Sequence, residues 1–150
     1  MNSKLVSSLQ DVTCSRLDSI NVDMLISDVA RKLSSTQISL VVVCDAYGKM
    51  VGIITKTDIV QWLGRCQGSF CSVAASDVMT REVIFCRPHD YLPDVLSVLQ
   101  KKGFVHLPVL DENHKPLGVL NVRDALRSLY ADEKYEESLL RDYVMGVGYL

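Results

Sequence analysis

The sequence predicts an α/β fold built from two copies of one small helix–strand–hairpin–strand–helix unit that pack on each other. Three observations lead there. Sliding the chain by 66 residues lays Leu17–Arg65 on Val83–Ala131 without a gap. Within each copy the apolar residues change from helical spacing to short continuous runs, the change expected between an amphipathic helix and a buried strand. A polar turn divides the two runs of each copy, so the strands are expected to pair as a hairpin.

Repetition is weighed first because it decides the architecture. Nine of the 49 aligned positions are identical, among them Asp28/Asp94, Asp45/Asp111, Gly52/Gly118 and Asp58/Asp124. Each copy opens with a short extended lead-in, Ser19–Val22 or Phe85–Pro88. A helix follows, because Ile26, Val29, Ala30 and Leu33 recur at i, i+3, i+4 and i+7, as do Leu92, Val95, Leu96 and Leu99. The runs Leu40–Val43 and Leu107–Leu110 are short enough to read as buried strands, the first of them β-branched. Turns at 45–49 (DAYGK) and 111–115 (DENHK) carry Asp, Asn and Gly, and the return strands are Val51–Ile54 and Leu117–Leu120. Each copy closes with a helix starting near Asp58 or Asp124. It carries Ile59, Val60 and Leu63 in one copy, and Ala125, Leu126 and Leu129 in the other.

A unit this small cannot bury its own sheet and needs a partner. The division expected is an N-terminal segment with the first copy over 1–66, then a connector, the second copy and a C-terminal helix over 67–150. The connector is the polar, small-residue stretch 64–76. The last helix is expected to run to about Tyr143, with Gly146 as a stop and a frayed end.

Composition limits the function. A chain of 150 residues with 48% apolar content can bury roughly two thirds of its unfolded surface. A net charge of −2 and a pI near 5.9 leave no basic face to neutralise phosphates, so nucleic acid is not an expected partner. No apolar stretch approaches the roughly 20 residues that span a bilayer. The N-terminus is too polar for a signal-peptide core, and the expectation is a cytoplasmic protein.

The five cysteines fit no ligand spacing and read as reduced thiols, with Cys44 as core and Cys66 and Cys71 in the connector. The histidines His89, His106 and His114 lack partners at helical spacing, so no metal site is expected. There is no GxxxxGK[ST] loop and no GxGxxG after a strand, and neither a nucleophile–base constellation nor a carboxylate pair emerges. The chain reads as non-catalytic.

The most informative stretches are GIITKTD at 52–58 and GVLNVRD at 118–124. Thr55 followed by Asp58, and Asn121 followed by Asp124, have the form of helix N-caps with an acid three positions on. The same geometry also serves a ligand. A helix start offers free N–H groups and a positive dipole end to phosphate, the Thr55 hydroxyl is a further donor, and an ionised Asp58 can accept both hydroxyls of a ribose. Spacing alone leaves cap and half-site equally open.

Three segments, VVVCDAYGKMVGIITKTDIV, FVHLPVLDENHKPLGVLNVRDAL and the connector ASDVMTREV, resemble those of tandem CBS (cystathionine β-synthase) domain proteins. The likeness is to stand-alone Bateman modules of bacterial type and covers about residues 17–131. It implies an α/β (α+β) fold of two βαββα-type CBS repeats packed through their sheets around a pseudo-twofold axis, with two clefts between them. It implies an adenosyl ligand (AMP, ADP, ATP, NAD or S-adenosylmethionine), no required cofactor, and frequent homodimers. On this resemblance Thr55 would take phosphate and Asp58 ribose in the first cleft, with Asn121 and Asp124 in those roles in the second. The lead-ins around Ile20 and around Ile84–Cys86, including Phe85 and Cys86, would hold adenine, and Lys56, Arg123 and His106 would balance phosphate charge. Asn121 departs from the usual Thr or Ser. The resulting expectation is a non-catalytic regulatory sensor acting on a protein target in trans. The alternative is a ligand-free structural dimerisation module, with Leu139, Leu140, Tyr143 and Val144 as a helix–helix seam.

Overall fold

The computed structural model describes residues 3–36, 38–65 and 72–132. After a 3₁₀ turn at Val6–Leu9 come α1 (Gln10–Ser15), β1 (Ser19–Asn21), α2 (Ile26–Leu33), β2 (Leu40–Cys44), β3 (Met50–Thr55) and α3 (Lys56–Arg65). They are followed by α4 (Ala75–Val78), α5 (Leu92–Lys102), β4 (His106–Leu110) and β5 (Pro116–Asn121), then α6 over 122–132. Every expected helix and strand of the two copies is present. The closing helices begin two residues before the expected aspartates, because Thr55 and Asn121 cap them. Cys66, Cys71 and the proposed seam at 139–144 lie outside the described residues.

β1 pairs parallel to β2, and β2 antiparallel to β3, while β4 and β5 form a second antiparallel pair. The hairpins keep one register: Leu40 faces Thr55 and Val43 faces Gly52, just as His106 faces Asn121 and Val109 faces Gly118. Their turns are built alike. Asp45 accepts from the Tyr47 and Lys49 amides, and Asp111 from those of Asn113 and Lys115, a side-chain turn that leaves one residue left-handed. Gly48 fills that position in the first hairpin at φ +79°, and His114 fills it in the second at φ 65°.

All five residues of β2 are buried because its two faces meet different partners. Val41 and Val43 join Ile26, Val29 and Leu33 of α2 in the core of the first copy. Leu40, Val42 and Cys44 point the other way, onto Leu110 and Val119 of the second copy. The two hairpins therefore pack through their sheets, and a strand covered on both faces needs a continuous apolar run. The second copy has its own core of Leu92, Val95, Leu96, Leu99, Leu107 and Leu120. Burying each of these leucines contributes about 1.5–3 kcal/mol. α5 stops at Gly103, left-handed at φ 70°, with Lys101 and Lys102 in its last turn where the dipole favours them.

The segments preceding each copy cross to the other one. Val6 packs into the core of the second copy, and α1 lies on β5. Ala75 and Met79 pack into the core of the first, and Thr80 bridges to Ile53 through backbone bonds of 3.0 and 2.8 Å. Such a reciprocal exchange is what an approximate twofold between the copies requires.

Candidate nucleotide site

α3 starts where β3 emerges from the sheet. The Thr55 hydroxyl accepts from the Asp58 amide at 3.3 Å, and the Asp58 carboxylate accepts from the Thr55 amide at 2.9 Å and the Thr55 hydroxyl at 3.1 Å. This is a capping box, so the cap reading of the motif is correct. It does not exclude the ligand reading. The capped turn borders a cavity of about 520 Å³ lined by Ser39, Thr55, Asp58, Thr80, Ile84 and His106, among others. Lys56 and Thr57 also face it, and the opening turn of a helix has amides without intrahelical partners. The Thr80 hydroxyl donates to the second Asp58 oxygen at 3.0 Å. The walls come from both copies: β3 and α3 from the first, the segment after α4 and the 103–106 stretch from the second.

The structure thus brings Thr55, Lys56, Asp58 and His106 to one cavity. Of the lead-in Ile84–Cys86, Ile84 reaches it, whereas Phe85 and Cys86 line a separate hollow of about 360 Å³ with His89 and Tyr91. Cys86 is buried, and burial, helped by Asp90, pushes its thiol up to about 12, so it is no nucleophile. Ile20 is buried in the first core and borders a third hollow of about 460 Å³ beside Asp45 and Lys115.

The second motif lies elsewhere and is bonded differently. The Asn121 side-chain oxygen accepts from the Arg123 and Asp124 amides, the capping role expected of it, and Arg123 itself is exposed. Asp124 is 9% exposed and has both oxygens engaged by Arg16, through Nε at 2.5 Å and Nη2 at 3.1 Å. That hydrogen bond raises the Arg16 pKa further, against the opposing effect of burial. The two motifs meet at His106. Its Nε2 lies 3.0 Å from Asn121 Nδ2 and 2.7 Å from the Ser39 hydroxyl. Since Asn121 presents its nitrogen, a donor only, Nε2 acts as acceptor and the ring is neutral with its proton on Nδ1. Burial first, then the charge of Arg16, lower the His106 pKa, with Asp124 opposing.

Sequence reasoning missed Thr80, Ser39 and Arg16. Carrying the 66-residue shift six positions further back would have laid Asp11-Val12 on Asp77-Val78 and brought out the segments that supply Arg16 and Thr80. No periodic signal points to Ser39.

A family model for the CBS domain matches residues 9–65 and again 75–131. The chain belongs to the CBS-domain family. The two matches repeat at the same 66-residue interval and include the crossing segments. The arabinose 5-phosphate isomerase GutQ of Shigella flexneri is 31% identical to the CBS pair over 99 residues, 66% of this chain but 30% of the isomerase. Among solved structures, the CBS-domain protein ATU1752 from Agrobacterium tumefaciens superposes with a TM-score of 0.72 at 26% identity, covering 83% of this chain and 98% of that one. The CBS pair of MJ0100, solved with 5′-methylthioadenosine and S-adenosyl-L-methionine, gives a TM-score of 0.71 at 23% identity over 88% of this chain and 99% of that one. No described helix is long and apolar enough to cross a membrane, and no group of three potential metal ligands occurs among the described residues.

Proposed function

We propose that this CBS pair is a non-catalytic cytoplasmic sensor that binds an adenosyl nucleotide in the Asp58 cavity and regulates a protein target in trans. The observation carrying the reading is that Asp58, the start of α3 and apolar Ile84 border one inter-copy cavity of about 520 Å³. A carboxylate accepts a ribose diol, helix-start amides and Lys56 suit phosphate, and Ile53 and Ile84 offer apolar faces to a base. The adenosyl compounds bound to the MJ0100 pair support the ligand class. A ligand touching both copies favours one relative arrangement of them and shifts the population toward it.

The test is calorimetric titration and thermal unfolding with AMP, ADP, ATP, NAD and S-adenosylmethionine, on the wild type and Asp58→Ala. Ligand at about 100 times its dissociation constant adds roughly 2.7 kcal/mol, and each kcal/mol moves the midpoint by about 2–4 °C. The expected result is a selective shift that Asp58→Ala abolishes. Absence of any shift at millimolar concentration would overturn the reading.

One observation is shared with the alternative, the ligand-free dimerisation module. Val60 and Leu126, equivalent positions on α3 and α6, are 66% and 48% exposed, apolar surface that a second copy would cover. Homodimers fit either reading, so only the titration separates them.

A further inference from the structure

We infer that Arg16 is a built-in occupant of the second half-site, so that the chain takes an adenosyl ligand in the Asp58 cavity alone. The inference rests on the nucleotide reading of that cavity.

The 66-residue equivalence places every group of one half-site beside its counterpart. Asp58 corresponds to Asp124, Thr55 to Asn121, Thr80 to Cys14, Glu82 to Arg16 and Ile84 to Asp18. In the first half-site Asp58 is hydrogen-bonded by Thr55 and Thr80, neutral groups that a diol can displace or join. Glu82 lines the cavity there and is exposed, and it has nothing to donate to Asp58. In the second half-site the same position carries a guanidinium. Its Nε–H and Nη2–H run into the two oxygens of Asp124 at 2.5 and 3.1 Å. Two donors directed at both oxygens of one carboxylate is the pattern a ribose 2′,3′-diol would make. The guanidinium makes it with a full positive charge and a rigid planar fork.

Three further differences act in the same direction. Asp18 stands where Ile84 lines the first cavity and is paired with Lys32 at 3.2 and 3.4 Å, so a charge pair replaces apolar wall. Asn121 stands in place of the Thr55 hydroxyl. Its oxygen is committed to the Arg123 and Asp124 amides and its nitrogen to His106. Finally, the Asp124 side chain is 8% exposed while that of Arg16 is 30% exposed. The cation is therefore the solvent-side cover over a buried acid. A diol entering here would have to remove a charged donor from a buried carboxylate and leave that carboxylate with neutral partners, which is unfavourable.

The experiment is calorimetric stoichiometry with AMP and with S-adenosylmethionine, combined with ¹H–¹⁵N spectra of arginine side chains. The proteins are wild type, Asp58→Ala, Arg16→Gln and Arg16→Gln/Asp124→Asn. The expected results are one ligand per wild-type chain, lost in Asp58→Ala, and a second ligand in Arg16→Gln, lost again in the double variant. In the wild type, the Arg16 Nε–H signal should exchange slowly and stay in place at saturating ligand, a readout that does not depend on how any variant folds. Two ligands per wild-type chain, one ligand per chain in both the wild type and Arg16→Gln, or an Arg16 signal that is unprotected or displaced by ligand would each overturn the inference. Binding to Arg16→Gln but not to the wild type would refute the Asp58 reading while leaving the role of Arg16 standing. Binding to neither would remove both.

Discussion

His106 shows how much one side chain can join. It borders the cavity as the sequence suggested, but as a neutral ring whose Nε2 receives two donors, which is not the state that balances phosphate charge. Its folded pKa lies below the ordinary 6.5, and the sign of the consequence follows from linkage. Between the ordinary value and the lowered one, the unfolded chain holds a proton that the folded chain does not, so stability rises with pH across that window. The contribution is complete above about pH 6.5 and is lost as the pH falls toward the folded value. Denaturant titrations over pH 5–8 should show this decline. His106→Gln, whose carbonyl oxygen can accept from Asn121 without titrating, should flatten it. A decline of equal slope in the variant would show that other groups cause it.

Among the elements, the crossing helices depend on two glycines that the sequence showed as a pair without their reason. A Cβ at Gly118 would lie 2.7 Å from the carbonyl carbon and oxygen of Thr13 in α1, and one at Gly52 would lie 2.7 Å from the Met79 sulfur and 2.8 Å from the Thr80 oxygen. Both positions are needed for close backbone approach. Gly52→Ala and Gly118→Ala should each destabilise by about 1–3 kcal/mol through overpacking, read as a lower denaturant midpoint at unchanged slope. The two effects should be similar, because a shift of the Met79 side chain still leaves the Thr80 carbonyl oxygen 2.8 Å from a Cβ at Gly52, nearly as close a backbone contact as Thr13 makes at Gly118. Gly64→Ala, with nothing near its Cβ, serves as the control.

For the molecule as a whole, the exchange of segments makes each copy's core depend on residues written before the other copy. Val6 and Thr13 are buried against the second copy, and the backbone at 4–7 bonds to residues 88–92. Removing residues 1–15 should therefore loosen the second copy more than the first. Hydrogen exchange should quicken over Leu92–Leu99 and Val119–Ala125 before it does over Val41–Ile54. Equal loss of protection in both would show that the copies unfold only together. The arrangement also suits the proposed sensor, since a ligand in a cavity walled by both copies would respond to their relative position.

The sequence by itself determined the repeat, the order and type of its elements and the two capped helix starts. All of these rest on periodicity and local hydrogen bonding, which a linear chain displays directly. It also placed Thr55, Lys56 and Asp58 together, because motif spacing carries over into space within a hairpin and its following helix, whereas only the tertiary structure set His106 of the other hairpin on the same cavity. Only the tertiary structure decided which lead-in residue reaches the cavity, Ile84 rather than Phe85, Cys86 or Ile20, because the twist and burial of each lead-in set which side chain faces inward. Only the tertiary structure brought Arg16 to Asp124 across 108 positions of chain. That contact depends on helix α1 crossing to the other copy, and no local pattern in the chain records where a segment will pack. The two motifs are thus alike in sequence and unlike in state: Asp58 borders an open cavity, and Asp124 is already held by the protein's own cation.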